Sequence, residues 1–137
     1  MCAVADLFEG AEIISIYTRA QALDDGTLIA LPDAREAGIL WPVAITQAAH
    51  AEAISWNPDH QGGQDETGRS WDVLTMVRHA IARNKTSAIL GDRIKFDVYR
   101  VPNTPTATRA YPCRLVVIAG GGDDGVPVLT VMLPNED

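Results

Sequence analysis

The hydrophobic pattern of this 137-residue chain changes period near residue 89, and any fold it adopts must bury apolar side chains on both sides of that change. Before it, apolar residues recur at intervals of three and four: Pro42, Ile45, Ala49, Ala53 and Trp56 in one segment, Trp71, Leu74, Val77 and Ile81 in another. That spacing presents one face of a helix to a core. After it, Ile94, Phe96 and Val98 alternate with Arg93, Lys95 and Asp97, the period of a half-buried antiparallel strand. Two further strand-like runs, residues 113–119 and 126–132, flank a glycine-rich hairpin loop at residues 120–125. Residues 115–119 are apolar on both faces, which predicts a central strand covered by helix. The expected fold class is α+β: a three-stranded antiparallel meander in the C-terminal half with two to three helices packed on one face. Length predicts a single domain over residues 1–137.

Local chemistry marks the helix ends. Thr18 and Gln21 have the spacing of a capping box, and Gly26 suits the position just past the last turn. Asp33 and Glu36 predict a second box, closed by Gly38 after about one turn. Trp41-Pro42 then opens a helix, since proline is tolerated at its first position, and that helix ends before Asn57-Pro58. Residues 57–68 read as a polar loop. The next helix starts near Ser70, with its apolar face widened by Val73 and Ala80, and ends by Asn84. Residues 1–12 form a lead-in arm, and Ile13, Ile14, Ile16 and Tyr17 a short strand or its extension.

No catalytic constellation emerges. His50, His60 and His79 lack the close spacing of metal ligands, and Asp123 and Asp124, like Asn57, Asp59, Asp65 and Glu66, miss the calcium-loop pattern. The glycine loop at 120–125 has neither a following helix nor the lysine and hydroxyl of a phosphate cradle. Ser15, Ser55, Ser70 and Ser87 sit in no nucleophile elbow. The expectation is no catalytic residue, no metal and no cofactor. Cys2 and Cys113, far apart and without a pairing motif, suit a reducing compartment. Early acidic residues Asp6, Glu9 and Glu12 argue against an export leader, and no apolar run approaches a bilayer span. A cytoplasmic protein away from membranes is expected.

Charge is sorted along the chain. Residues 1–66 carry 11 acidic and 2 basic side chains, residues 67–114 carry 9 basic and 3 acidic, and the remainder adds 4 acidic, giving the net −7. An acidic surface steers association with a basic partner. Asp24, Asp25, Asp65 and Glu66 are the interaction candidates for a protein partner, grouped around the polar loop. The alternative is a nucleic-acid-binding accessory protein that uses the basic 69–114 segment, with Arg93, Lys95 and Arg100 as its contacts. A third reading is a small enzyme whose site is not visible in sequence. The chain is expected to be monomeric or a homodimer.

Several segments in combination resemble a known group: Tyr17-Thr18-Arg19-Ala20-Gln21-Ala22, Ala34-Arg35-Glu36-Ala37-Gly38, Trp41-Pro42-Val43, Gly63-Gln64-Asp65-Glu66, Trp71-Asp72-Val73-Leu74 and the closing Met132-Leu133-Pro134-Asn135-Glu136-Asp137. The chain resembles, from about Ile14 onward, a family of uncharacterised small acidic accessory proteins carried on plasmids, integrated elements and phages. The resemblance implies a non-catalytic interaction module of a mobile genetic element, one that acts against a host defence or in transfer; the acidic charge separately suits a protein that counters a basic nucleic-acid enzyme by standing in for phosphates.

Overall fold

A computed structural model describes residues 18–136. The lead-in arm at 1–12 and the strand expected at 13–17 lie outside the described residues. The elements are α1 (Arg19–Asp25), β1 (Leu28–Ala30), a single 3-10 turn (Pro32–Ala34), β2 (Val43–Thr46), α2 (Gln47–Ala53), α3 (Glu66–Arg83), α4 (Lys85–Ile89), β3 (Ile94–Arg100), β4 (Tyr111–Gly121) and β5 (Pro127–Met132). They form an α+β fold around one mixed sheet in the order β1-β2-β5-β4-β3.

The sheet therefore has five strands among the described residues, not three. The antiparallel ladders β3–β4 and β4–β5 join residues of the C-terminal half as neighbours, and β5 continues into the N-terminal half by pairing parallel with β2. β1 then pairs antiparallel with β2. The helix expected to open at Pro42 begins only at Gln47, where Thr46 Oγ1 accepts from Ala49 N at 3.2 Å. Residues 43–46 are strand instead. Val43, Ala44 and Ile45 are all buried, so the alternation that announces a half-exposed strand is missing. A short apolar run of that kind fits either a buried strand or a helix face. Pro42 sits at the strand entrance, where its carbonyl accepts from Leu129 N at 2.9 Å.

Capping chemistry was right at one helix and misleading at another. Thr18 Oγ1 accepts from Gln21 N and Gln21 Oε1 accepts from Thr18 N, and Gly26 adopts φ 84° beyond the last turn of α1. Asp33 and Glu36 form no box, because the segment is a 3-10 turn entered from Leu31 with Pro32 at its first position. Nor does Gly38 end it: the 3-10 turn stops at Ala34 with Arg35 just beyond, and Gly38, at φ 94°, closes the further turn that follows. α3 starts four residues earlier than expected, at Glu66, with Asp65 as its cap, which shortens the polar loop.

The main core lies between the sheet and the pair α2 and α3. Ile45, Leu74, Val77, Leu115, Val117 and Val131 are fully buried there. Burial of each such side chain contributes about 1.5–3 kcal/mol. The buried stripe of α3 runs through Arg69, Val73, Leu74, Val77 and Ala80, so Trp71 and Ile81 flank it rather than lead it. On the strand side, β3 alternates buried Ile94, Phe96, Val98 and Arg100 with exposed Lys95 and Tyr99. α1 is tied to the sheet by Arg19, whose guanidinium donates to Thr130 Oγ1 at 2.7 Å and to the Leu129 carbonyl at 2.8 Å. Burial lowers the Arg19 pKa, and Asp123 opposes that shift. The Asp123 carboxylate, in the β4–β5 turn, accepts from the Arg19 and Ala20 amides and so caps α1 from outside. Among the described residues, no helix is long and apolar enough to cross a membrane.

Candidate docking groove at Trp41

Residues 31–42, the 3-10 turn and the loop after it, have apolar side chains that are divided. Leu31, Ala34 and Ile39 turn inward and are buried, while Leu40 is 73% and Trp41 36% exposed. Two hydrogen bonds hold this division: Ala37 N donates to the Asp33 carbonyl and Ile39 N to the Ala34 carbonyl. At Gly38 the chain reverses with a positive φ, and a Cβ there would come within 3.0 Å of Arg78 Cδ. The arginine stem lies directly over the glycine. Sequence and packing together therefore force Leu40 and Trp41 outward.

A groove of about 360 Å³ runs between this loop and the end of α3, with Leu40 and Trp41 on one side and Arg78, Ile81 and Lys85 on the other. Trp41 also borders a second depression of about 440 Å³ against Ile89 and the start of the β4–β5 turn. Ile89 and Leu90 add exposures of 79% and 70%. Exposed apolar side chains gathered beside a groove and edged by charge are a feature of interaction sites. Both charges at the groove are positive, and among the described residues neither Arg78 nor Lys85 has an ion-pair partner.

The acidic candidates do not make one surface. Asp24 and Asp25 end α1, which packs on β1 at one edge of the sheet, and Asp25 Oδ1 accepts from Thr27 N. Asp65 and Glu66 open α3, which packs on β3 at the other edge. Both of the latter have structural work: Asp65 Oδ1 accepts from Gly68 N at 2.6 Å, and Glu66 Oε2 accepts from Trp56 N at 3.1 Å.

The basic candidates are divided too. Lys95 is exposed on the sheet face away from α3, whereas Arg100 is 6% exposed on the helix-covered face. Arg93 donates to the Pro134 carbonyl and Met132 Sδ, tying the start of β3 to the chain beyond β5. Arg100 instead pairs with Asp72 and donates to the Ala53 and Arg69 carbonyls. Its neighbour Arg69, 1% exposed, donates to the Ile54 and Val101 carbonyls and stacks over Trp56 at 5.1 Å. Burial and the Arg100 charge lower the Arg69 pKa. These two arginines satisfy carbonyls at the C-terminal end of α2, where the helix dipole favours positive charge.

Sequence reasoning missed the clamp, although a signal was there. Arg69 lies four residues before Val73 on the apolar stripe, and Arg100 keeps the parity of Ile94, Phe96 and Val98. Cys113, half-buried beside Glu52 and Arg100, lines a separate cavity of about 300 Å³. Burial, reinforced by Glu52, raises its pKa, which opposes thiolate chemistry there. Among the described residues, no group of three or more histidine, cysteine or acidic side chains is placed to hold a metal.

A family described as one of unknown function, DUF6573, matches residues 4–137. No curated protein and no solved structure matches the chain.

Proposed function

The chain belongs to the DUF6573 family, and we propose that it is a non-catalytic, cytoplasmic protein-interaction module whose groove at Trp41 seats a partner segment with a large apolar side chain flanked by acidic residues. One observation carries this reading: exposed Leu40 and Trp41 face a groove whose charged residues, Arg78 and Lys85, are both positive and unpaired among the described residues. A concave apolar floor takes a side-chain anchor, and tryptophan and arginine are the residue types that dominate such contacts. The unpaired cations set the sign of the partner. The contact surface thus moves from the acidic residues Asp24, Asp25, Asp65 and Glu66 to a basic-rimmed groove. A mobile-element setting belongs to the same reading and rests on the sequence resemblance alone.

Peptides selected from a random phage-displayed library against the immobilised protein test this directly. Enrichment of aspartate or glutamate next to phenylalanine, tryptophan or leucine is expected. Binding should then be lost in Trp41→Ala and in Arg78→Glu/Lys85→Glu at unchanged melting temperature. Selected peptides that are basic, or that bind Trp41→Ala as tightly as the wild type, refute the reading.

A further inference from the structure

We propose that two copies of this chain pair through β3, edge to edge and antiparallel about Phe96, so that their sheets join across a two-fold axis. Among the described residues, β3 is the last strand on its side of the sheet, and its one ladder is with β4. It is seven residues long, with no proline and a regular register throughout. Among the described residues, the backbone of residues 94–98 makes no hydrogen bond outside that ladder. A strand edge of this kind is a template for another strand unless something covers it. Beside it the structure leaves a cleft of about 340 Å³, with Asp72, Thr75 and Met76 of α3 as its far wall.

The side chains on the strand select the occupant. In an antiparallel self-pairing, residues on the same face must meet, so neighbouring allowed registers differ by a shift of the centre from one residue to the next. Centred on Phe96, Lys95 of each copy stands opposite Asp97 of the other, and Arg93 opposite Tyr99. On the other face Ile94 meets Val98. Centred on Asp97, the two Asp97 carboxylates would face each other, and centred on Lys95 the two ammonium groups would. Cross-strand pairs of opposite charge stabilise and directly opposed like charges destabilise. Arg114 already holds Asp97 on the outer face at 2.8 Å, and this hydrogen bond keeps its pKa low and the carboxylate charged. The strand is thus complementary to itself in one register and repelled in the two beside it.

Sedimentation equilibrium from nanomolar to submillimolar concentration tests the pairing. The wild-type chain should shift from 14.7 kDa to twice that mass. Lys95→Asp and Asp97→Lys should each weaken self-association about tenfold or more, because each turns two attractive pairs into two repulsive ones. An equimolar mixture of the two variants should regain the dimer, since each introduced charge then faces its opposite. A wild-type chain that stays at 14.7 kDa throughout, single variants that dimerise like the wild type, or a mixture that fails to regain association each overturn the proposal. Amide exchange of residues 94–98 in the wild type gives a reading independent of the variants. It should slow as concentration rises, and exchange that ignores concentration counts against the pairing.

Discussion

Replacing Arg69 with methionine should destabilise the fold by about 2–4 kcal/mol, even though the substitution puts an apolar side chain into an apolar place. Methionine fills most of the space of the arginine stem, so little cavity opens. The loss is polar. The carbonyls of Ile54 and Val101 forfeit donors now at 3.0 and 2.9 Å, and an unsatisfied buried carbonyl costs about 1–3 kcal/mol. The stacking of the guanidinium on Trp56 contributes about 0.5–2 kcal/mol more. Relief opposes both. A buried cation is removed from beside Arg100, and Nη2, which has no hydrogen-bond partner among the described residues, goes with it. The balance stays unfavourable because two acceptors are stranded to release one donor. Equilibrium urea unfolding followed by circular dichroism, with a common m-value, measures the difference. Arg69→Lys keeps the charge but not the fork that spans Ile54 and Val101, so it should recover less than half of the loss. A loss under about 1 kcal/mol for Arg69→Met, or a lysine variant as stable as the wild type, would show that the clamp is not what closes α2.

Three further outcomes follow from local geometry. Gly38→Ala should cost about 1–3 kcal/mol, since φ 94° is strained for alanine and the new Cβ meets Arg78 Cδ, and a thermal melt unchanged from wild type would contradict this. Asp65→Ala should cost about 1 kcal/mol through loss of the α3 cap, while Asp65→Asn retains most of it, and equal melts for the two variants would remove Asp65 from that role. Cys113 has a pKa raised above its ordinary 9.0, so at pH above that value the unfolded chain gives up its thiol proton before the folded one does. Stability should therefore fall as alkaline pH rises through that window, and Cys113→Ala should lessen the fall. Site-resolved alkylation should likewise be slow in the native protein near neutral pH and fast in urea. Equal rates would show the thiol to be open.

The helix that begins at Thr18 was legible because its ends are written in side chains a few residues apart: Thr18, Gln21 and Gly26 act on their own backbone. The strand β2 was not, because Val43, Ala44 and Ile45 are buried on both faces, and a run without alternation carries no period. Asp33 and Glu36 have the spacing of a cap, but Pro32 leads a 3-10 turn, and the chain there is shaped by Ile39 and Ala34 entering the core. The groove was hidden for a related reason. Trp41-Pro42 read as the start of a helix, whereas Ala34 and Ile39 take the inward positions and leave Leu40 and Trp41 outside. Arg69 and Arg100 were counted with the surface charges, yet their positions on the stripe of α3 and the inner parity of β3 had already placed them inside. Charge type prevailed over position, and position was the better guide.

β5 follows every other described strand in the chain and yet stands third of five in the sheet. Among the described residues, the β1–β2 pair has no hydrogen-bonded ladder to β4 and β3 except through it, so the two sides of the sheet stay unjoined as a sheet until residues 127–132 arrive between them. Joining them closes a loop of 80 residues between β2 and β5, an entropic barrier that precedes any reward from the parallel ladder. Assembly should accordingly be all-or-none and comparatively slow. A hydrogen-exchange experiment during refolding would see protection in β2 appear together with that in β5, and never ahead of it.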